Sequence, residues 1–82
     1  MEDYILMCAM YPTMESGKVD KFLVRQGDKV TKGTAVAEII AEGYFTLLSE
    51  IEGVVTEFYV TEGDYVEVDT AIIEIKVKET EE

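Results

Sequence analysis

The sequence predicts an all-β domain in which two small sheets fold over one shared core. Residues 17–39 and 53–75 repeat one another at a fixed offset of 36 residues, without a gap. Short apolar runs between glycine-containing turns fill both copies, and no segment keeps a helical period over three turns. A repeat of this length indicates one supersecondary unit built twice, because neither copy can bury its apolar face alone. Eleven of the 23 aligned positions are identical: Gly17/Gly53, Val19/Val55, Phe22/Phe58, Val24/Val60, Gly27/Gly63, Asp28/Asp64, Val30/Val66, Thr34/Thr70, Ala35/Ala71, Glu38/Glu74 and Ile39/Ile75.

The first predicted strand precedes the repeat. Residues 4–10 (YILMCAM) are a short apolar run between acidic residues and Tyr11-Pro12, a length and punctuation typical of a strand. Because Cys8 lies in this apolar strand, we expect it to be a small buried packing residue. A role as a nucleophile is not expected, because the chain has no histidine and no second cysteine to activate its thiol. A loop over residues 12–17 then leads to a strand over 18–25.

The first copy continues through two turns into a third strand. Gly27 and Gly33 indicate the turns, since glycine adopts the positive φ that other residues avoid. Val30 is an isolated apolar residue between them, and residues 34–40 form the next strand. Asp28 recurs as Asp64 in the second copy, and its place in a Gly-Asp turn favours a capping role over acid/base chemistry.

A hairpin over residues 40–44 joins the two copies. The strand over 44–48 leaves it, and Glu42-Gly43 at its tip is an acid-glycine pair of the kind that suits tight hairpins. The second copy then repeats the pattern, with strands over 54–61 and 70–77. Side chains alternate along a strand, so of the two aromatic residues that follow the turn one belongs to the core and one is exposed. Cross-strand packing is the simpler interpretation of the exposed ring.

Composition limits the domain count and the function classes. We expect one domain over residues 1–82, with a core over about 4–77 and a charged tail over 78–82 that frays. The net charge of −11 disfavours nucleic acid and anionic membranes as partners and favours a basic protein surface. The acidic N-terminus and the lack of a long apolar run predict a cytoplasmic protein. Without histidine or a phosphate-binding loop, neither an enzyme nor a metal site is expected.

Several motifs together resemble one family. Residues 7–17 (MCAMYPTMESG) are similar to M-P-x-L-x-P-T-M-x-x-G, and residues 22–38 are similar to W-L-x-K-x-G-D-x-V-x-x-G-x-x-L-x-E. Residues 60–66 (VTEGDYV) repeat the second pattern. These are patterns of the biotinyl/lipoyl carrier domains, in particular the lipoyl domains of 2-oxo-acid dehydrogenase acyltransferases, and the resemblance covers residues 5–77. It implies a barrel-sandwich hybrid of two four-stranded antiparallel sheets with internal pseudo-two-fold symmetry.

The chain departs from this family at the residue that carries the cofactor. In the family the hairpin tip presents one lysine, to which lipoate or biotin is attached. Counting forward places that position at Gly43, and counting back from Gly53 places it at Glu42. Neither has an amine, so we expect no cofactor. The hypothesis is a non-catalytic protein-binding or structural module of a larger enzyme assembly. The alternative is a lipoyl carrier domain of a 2-oxo-acid dehydrogenase complex, or a biotin carboxyl carrier, whose attachment residue is lost or altered in this chain.

The resemblance also implies a surface for protein partners. In lipoyl domains the loop after the first strand lies beside the lysine turn and helps enzymes to recognise the domain. The expected partner is a protein such as a dehydrogenase or acyltransferase subunit. The candidate contact residues are Tyr11, Pro12, Thr13, Met14, Glu15, Ser16, Tyr44 and Phe45, next to Glu42 and Gly43 at the tip.

Overall fold

A computed structural model describes residues 2–77, which form eight β-strands and no helix. The predicted tail over 78–82 lies outside these described residues. The strands are β1 Glu2–Leu6, β2 Ser16–Phe22, β3 Lys29–Val30, β4 Ala35–Ile40, β5 Tyr44–Leu48, β6 Gly53–Phe58, β7 Tyr65–Glu67 and β8 Ala71–Val77.

The eight strands form two four-stranded sheets, in the orders β1-β8-β6-β3 and β5-β4-β2-β7. Every pairing is antiparallel. Each sheet therefore takes strands from both copies of the repeat, and the predicted all-β barrel-sandwich architecture is confirmed. We call the sheet that contains β1 sheet A and the sheet that contains β5 sheet B.

The pseudo-two-fold symmetry extends to all four strand pairs. Strands β2, β3 and β4 correspond to β6, β7 and β8 at the offset of 36 residues seen in the sequence. Strands β1 and β5 correspond at an offset of 42, because Ile5 pairs with Ile73 as Leu47 pairs with Ala37. The extra six residues lie in the loop between β1 and β2. This longer loop breaks the symmetry next to the candidate site.

Each copy of the repeat is hydrogen-bonded to the other through its Gly-Asp turn. The Gly27 N–H donates to the Val55 carbonyl at 2.7 Å, and the Val55 N–H donates to the Asp28 carbonyl at 2.8 Å. The equivalent bonds of 2.7 and 2.9 Å join Gly63 and Asp64 to Val19. Neither copy can therefore complete its own hydrogen bonding without the other.

One apolar core lies between the sheets. The strands of both sheets direct alternate side chains into it, and a β-bulge between Val19 and Lys21 reverses that alternation so that Phe22 turns inward. The Phe22 ring meets its symmetry mate Phe58 with 4.5 Å between centroids. The buried apolar residues are Ile5, Met7, Met14, Val19, Val30, Val36, Ala37, Ile39, Leu47, Val55, Val66, Ile72, Ile73 and Ile75.

Two predictions about the first segment are wrong. The strand predicted over residues 4–10 is β1, which ends at Leu6. Met7 then leaves the sheet edge and is fully buried, held by hydrogen bonds of 2.9 Å to Thr70 and 2.6 Å from Asp69. This turn into the core leaves Cys8 exposed, so the prediction that Cys8 packs inside is also wrong.

Other strand bounds differ from the predicted ones by a few residues. The strand predicted over 18–25 is β2, which begins at Ser16 because Ser16 and Gly17 pair with β7. The isolated apolar residues Val30 and Val66 lie in short strands of their own, β3 and β7, which the sequence pattern was too brief to indicate. The strand over 44–48 has the predicted bounds.

Candidate functional site

The hairpin tip consists of residues 41–43, between β4 and β5. Ile40 pairs with Tyr44, and the Ala41 N–H donates to the Gly43 carbonyl at 2.9 Å. Glu42 is the middle residue of the tip and is exposed. The turn is where the sequence predicted it, and none of its three residues has an amine.

Gly43 is not required by the backbone of the tip. The described glycines with positive φ are Gly27, Gly33 and Gly63, and an added Cβ at Gly43 would meet nothing within 4 Å. The tight hairpin turn predicted at Glu42-Gly43 is present, but Gly43 does not adopt the positive φ for which such pairs use glycine. A longer side chain at position 43 has space and an ordinary backbone conformation.

The loop after β1 lies beside this hairpin, as the resemblance implied. The rings of Tyr11 and Phe45 have centroids 6.0 Å apart, tilted by 35°. The Met14 N–H donates to the Tyr11 carbonyl at 3.0 Å, and the Met10 N–H contacts the Met14 sulfur at 3.2 Å. These contacts close residues 10–14 into a turn that supports the start of β5.

The predicted contact residues divide by burial. Met14 is buried, so it belongs to the core and presents nothing to a partner. Tyr11, Phe45 and Gly43 are half-buried. The exposed residues of the set are Pro12, Thr13, Glu15, Ser16, Glu42 and Tyr44.

Tyr44 has the highest exposed fraction among the large hydrophobic side chains of the described residues. Its exposed fraction is 78%, whereas Phe45 on the opposite face packs against the core. The expectation of one core ring and one exposed ring is thus confirmed. At this exposure, cross-strand packing covers little of the Tyr44 ring.

Sequence reasoning missed a second exposed tyrosine in the same row of sheet B. Tyr65 pairs with Lys18, Lys18 pairs with Ile40, and Ile40 pairs with Tyr44. Tyr65 is 76% exposed, and the Lys18 Nζ lies 5.9 Å from the centroid of its ring. An amphipathic row therefore crosses the outer face next to the tip. Alternation around buried Val66 was the one sequence signal that could have placed Tyr65 outside.

The lysines of the described chain lie away from the tip. Lys18 is the nearest by pairing, since it faces Ile40, but it belongs to β2 in the interior of sheet B. Lys21 lies on β2, Lys29 on β3, Lys32 in a turn and Lys76 on β8. Residues 41–43 are alanine, glutamate and glycine, so the tip itself offers no side-chain amine.

Asp28 and Asp64 each accept a backbone hydrogen bond within their turns. The Asp28 carboxylate accepts a hydrogen bond of 2.8 Å from the Arg25 N–H, and that of Asp64 accepts one of 3.0 Å from the Thr61 N–H. Both aspartates therefore cap turns, as predicted. Among residues 2–77, no group of three or more histidine, cysteine, aspartate or glutamate residues is arranged to hold a metal ion.

The sequence profile of one protein family matches residues 5–75, nearly the whole described chain. The family is the biotinyl/lipoyl family, described as "biotin-requiring enzyme". With its two four-stranded sheets, its hairpin tip and this match, the chain belongs to the biotinyl/lipoyl domain family.

Two curated proteins of Rhizobium meliloti (strain 1021) share a segment with the chain. They are the dihydrolipoyllysine-residue acetyltransferase component of the pyruvate dehydrogenase complex and the pyruvate dehydrogenase E1 component subunit beta. Each is 54% identical over 35 residues, which is 43% of this chain. The match spans 8% of the length of either relative.

A solved structure shares the fold over most of the chain. It is the solution structure of the lipoyl domain of the 2-oxoglutarate dehydrogenase complex from Azotobacter vinelandii. The likeness has a TM-score of 0.65 and 21% sequence identity, and it covers 88% of this chain and 95% of that one. In the described range, no helix is long and apolar enough to cross a membrane.

Proposed function

We propose that this chain is a lipoyl-type domain that takes no lipoyl or biotinyl group and serves as a non-catalytic binding or structural module of a 2-oxo-acid dehydrogenase-type assembly. The observation behind this proposal is the hairpin tip. The position where the family attaches its cofactor falls on Glu42 or Gly43, and neither side chain has an amine. The pyruvate dehydrogenase relatives and the 2-oxoglutarate dehydrogenase lipoyl domain support the type of assembly.

A carrier domain works by presenting a reactive group on a mobile arm at high effective concentration to several active sites. That task requires an amine at the tip. A surface for a protein partner beside the tip does not depend on that amine. Tyr44 is exposed there, and the Tyr11 and Phe45 rings hold the neighbouring loop in place. Glu15 and Glu42 give this surface an acidic character that suits a basic partner.

The alternative function is a carrier domain whose attachment residue has been lost or altered. It is favoured by the open space at Gly43, where a Cβ meets nothing within 4 Å, so that a lysine would fit there. The two functions differ in whether attachment enzymes still recognise the hairpin.

Intact mass spectrometry after co-expression with active lipoate and biotin ligases separates them. The wild-type chain is expected to keep its unmodified mass, and a mass increase by one lipoyl or biotinyl group would overturn the proposal. The variants Gly43→Lys and Glu42→Lys test the alternative in both registers. Modification of either variant favours a domain that has lost its attachment residue, whereas unmodified variants favour a binding module that ligases no longer recognise.

The binding role has its own test with purified E1 and acetyltransferase components of a pyruvate dehydrogenase complex. We expect one of them to bind the domain in a titration. We expect Tyr44→Ser to raise the dissociation constant about tenfold, the equivalent of losing one buried aromatic contact. Leu23→Ser is the matched control, since Leu23 is exposed but lies outside the site. Equal weakening by both variants, or no retention by either component, would contradict the proposed binding role.

A further inference from the structure

A cleft of about 430 Å³ lies between the edge strands of the two sheets, away from the hairpin tip. One wall is the end of β1 with the residues that follow it, and the other is the end of β5 with the residues that follow it. Its size is within the range of ligand sites in proteins. None of its lining residues belongs to residues 11–16 or 41–45. The cleft therefore shares no residue with the hairpin-tip surface.

The walls of the cleft combine apolar and acidic side chains. Leu6 and Leu48 are symmetry mates that line it with exposed fractions of 42% and 50%. Asp3, Glu50 and Asp69 add three carboxylates, and no lysine or arginine lines the cleft in the described part of the chain. An occupant that matches both features has apolar groups for the leucines and positive charge for the carboxylates.

The edge strands indicate that this occupant is a polypeptide. β1 and β5 each form one edge of sheets A and B, and an edge strand presents unpaired main-chain groups. On β1 the Tyr4 N–H already donates to the Asp3 carboxylate at 2.8 Å, so this donor is occupied, whereas no such bond occurs on β5 among the described residues. An extended segment along β5 would direct alternate side chains toward Leu48 and into the cleft.

We propose that this cleft binds an extended polypeptide segment that carries both apolar and basic side chains. The apolar side chains contact Leu6 and Leu48, and the basic ones lie near Asp3, Glu50 and Asp69. The domain would then have two separate protein-binding surfaces, one at the hairpin tip and one along the edge of β5.

The test is a titration of the ¹⁵N-labelled domain with three short peptides, followed by amide chemical shifts. The peptides alternate lysine with leucine, glutamate with leucine, and lysine with serine. The lysine-leucine peptide is expected to bind saturably, with shifts confined to residues 3–8, 47–51 and 69. The other two peptides are expected to bind at least about tenfold more weakly, since each lacks one of the two matching features.

Variants of exposed residues localise the effect. Leu48→Ser and Glu50→Gln are expected to weaken binding of the lysine-leucine peptide about fivefold to tenfold. Their matched controls outside the cleft, Leu23→Ser and Glu52→Gln, are expected to leave it unchanged. Equal weakening by the controls, shifts spread over the whole acidic surface, or equal binding of the glutamate-leucine peptide would overturn the proposal. So would concentration-dependent shifts at the cleft without any peptide, which would identify a second copy of the chain as the occupant.

Discussion

Gly17 and Gly53 occupy equivalent positions where a side chain has almost no room. An added Cβ at Gly17 would lie 2.7 Å from the Ile39 Cγ2 and 3.1 Å from the Met14 Cε, both of them side-chain atoms. At Gly53 it would contact the Lys76 carbonyl oxygen, which belongs to the backbone of β8. Side chains can shift, whereas a paired strand cannot, so Gly53 is the less replaceable of the two glycines.

Gly53→Ala is therefore expected to lower the free energy of unfolding by about 1–3 kcal/mol, the usual range for overpacking a closed site. Gly43→Ala is the control, because the same methyl group meets nothing within 4 Å there. Its effect should be within about 0.5 kcal/mol. Urea unfolding of both variants checks this, and similar losses in the two would show that Gly53 is not limited by the Lys76 carbonyl.

Among the described residues, Tyr59 is the one whose pKa is clearly shifted from its ordinary value. Its hydroxyl donates to the Glu74 Oε1 at 2.9 Å, and this hydrogen bond to a carboxylate, with a smaller contribution from burial, raises the Tyr59 pKa from 10.0 to about 12. Because the folded pKa is the higher one, the bond contributes stability below pH 10 that is lost as the pH rises through 12.

Glu74→Gln is expected to move the Tyr59 pKa back toward 10.0, since the main cause of the shift is removed. The measurement is an NMR pH titration of the tyrosine Cζ signals, with Tyr59→Phe to assign the signal. An unchanged midpoint in Glu74→Gln would assign the shift to some other cause than this hydrogen bond.

The Gly-Asp turns connect the two copies of the repeat through backbone hydrogen bonds. Each turn offers a carbonyl and an N–H to one valine of the opposite copy, so that β2 is bonded to the turn before β7 and β6 to the turn before β3. The aspartate side chains fix the shape of these turns by accepting from the Arg25 and Thr61 N–H groups. A change in turn shape in one copy therefore acts on the other.

Asp28→Ala and Asp64→Ala are each expected to destabilise the fold by about 1 kcal/mol, the usual net value of one hydrogen bond. Asp64 also accepts a bond of 3.1 Å from the Thr61 Oγ1, so its loss should be the larger. Asp20→Ala, on an exposed position of β2, provides the baseline for removing a carboxylate. Thermal unfolding of the three variants decides the matter: equal effects would leave no role for capping.

The repeat located four of the strands from the sequence. Strands β2, β4, β6 and β8 share identical residues at the 36-residue offset, which located them to within three residues at either end. β1 and β5 share no such identities and correspond at an offset of 42, so short apolar runs between turn residues had to place them. That pattern predicted the bounds of β5 but extended β1 to residue 10. It failed after Leu6, where the hydrogen bonds of Met7 to Asp69 and Thr70 pull the chain away from the strand direction.

Across the whole molecule, surface features formed by neighbouring residues could be predicted from the sequence, whereas features formed by distant residues could not. The hairpin tip is formed by neighbouring residues, so the sequence predicted both its position and the lack of an amine there. The row from Tyr65 to Tyr44 and the cleft between Leu6 and Leu48 join residues about 20 and 42 positions apart. Only the strand order brings such residues together, so no local pattern could indicate them.

The net charge of −11 is a property of the molecule as a whole, and it opposes the compact state through repulsion among carboxylates. Added NaCl is expected to stabilise the domain by about 1 kcal/mol between 10 and 200 mM, because the Debye length falls from ~30 Å to less than 10 Å over that range. Urea unfolding at several NaCl concentrations measures this effect without the surface exclusion that sulfate would add.

A charge variant separates general repulsion from local attraction. Glu57 pairs with Glu74 across β6 and β8, so Glu57→Lys replaces a pair of like charges on neighbouring strands with opposite charges and lowers the net negative charge by two. Its unfolding free energy should be higher than that of the wild type at low salt and should depend less on NaCl. A wild-type stability that falls as NaCl is added would instead mean that attractive ion pairs outweigh the repulsion of the surplus carboxylates.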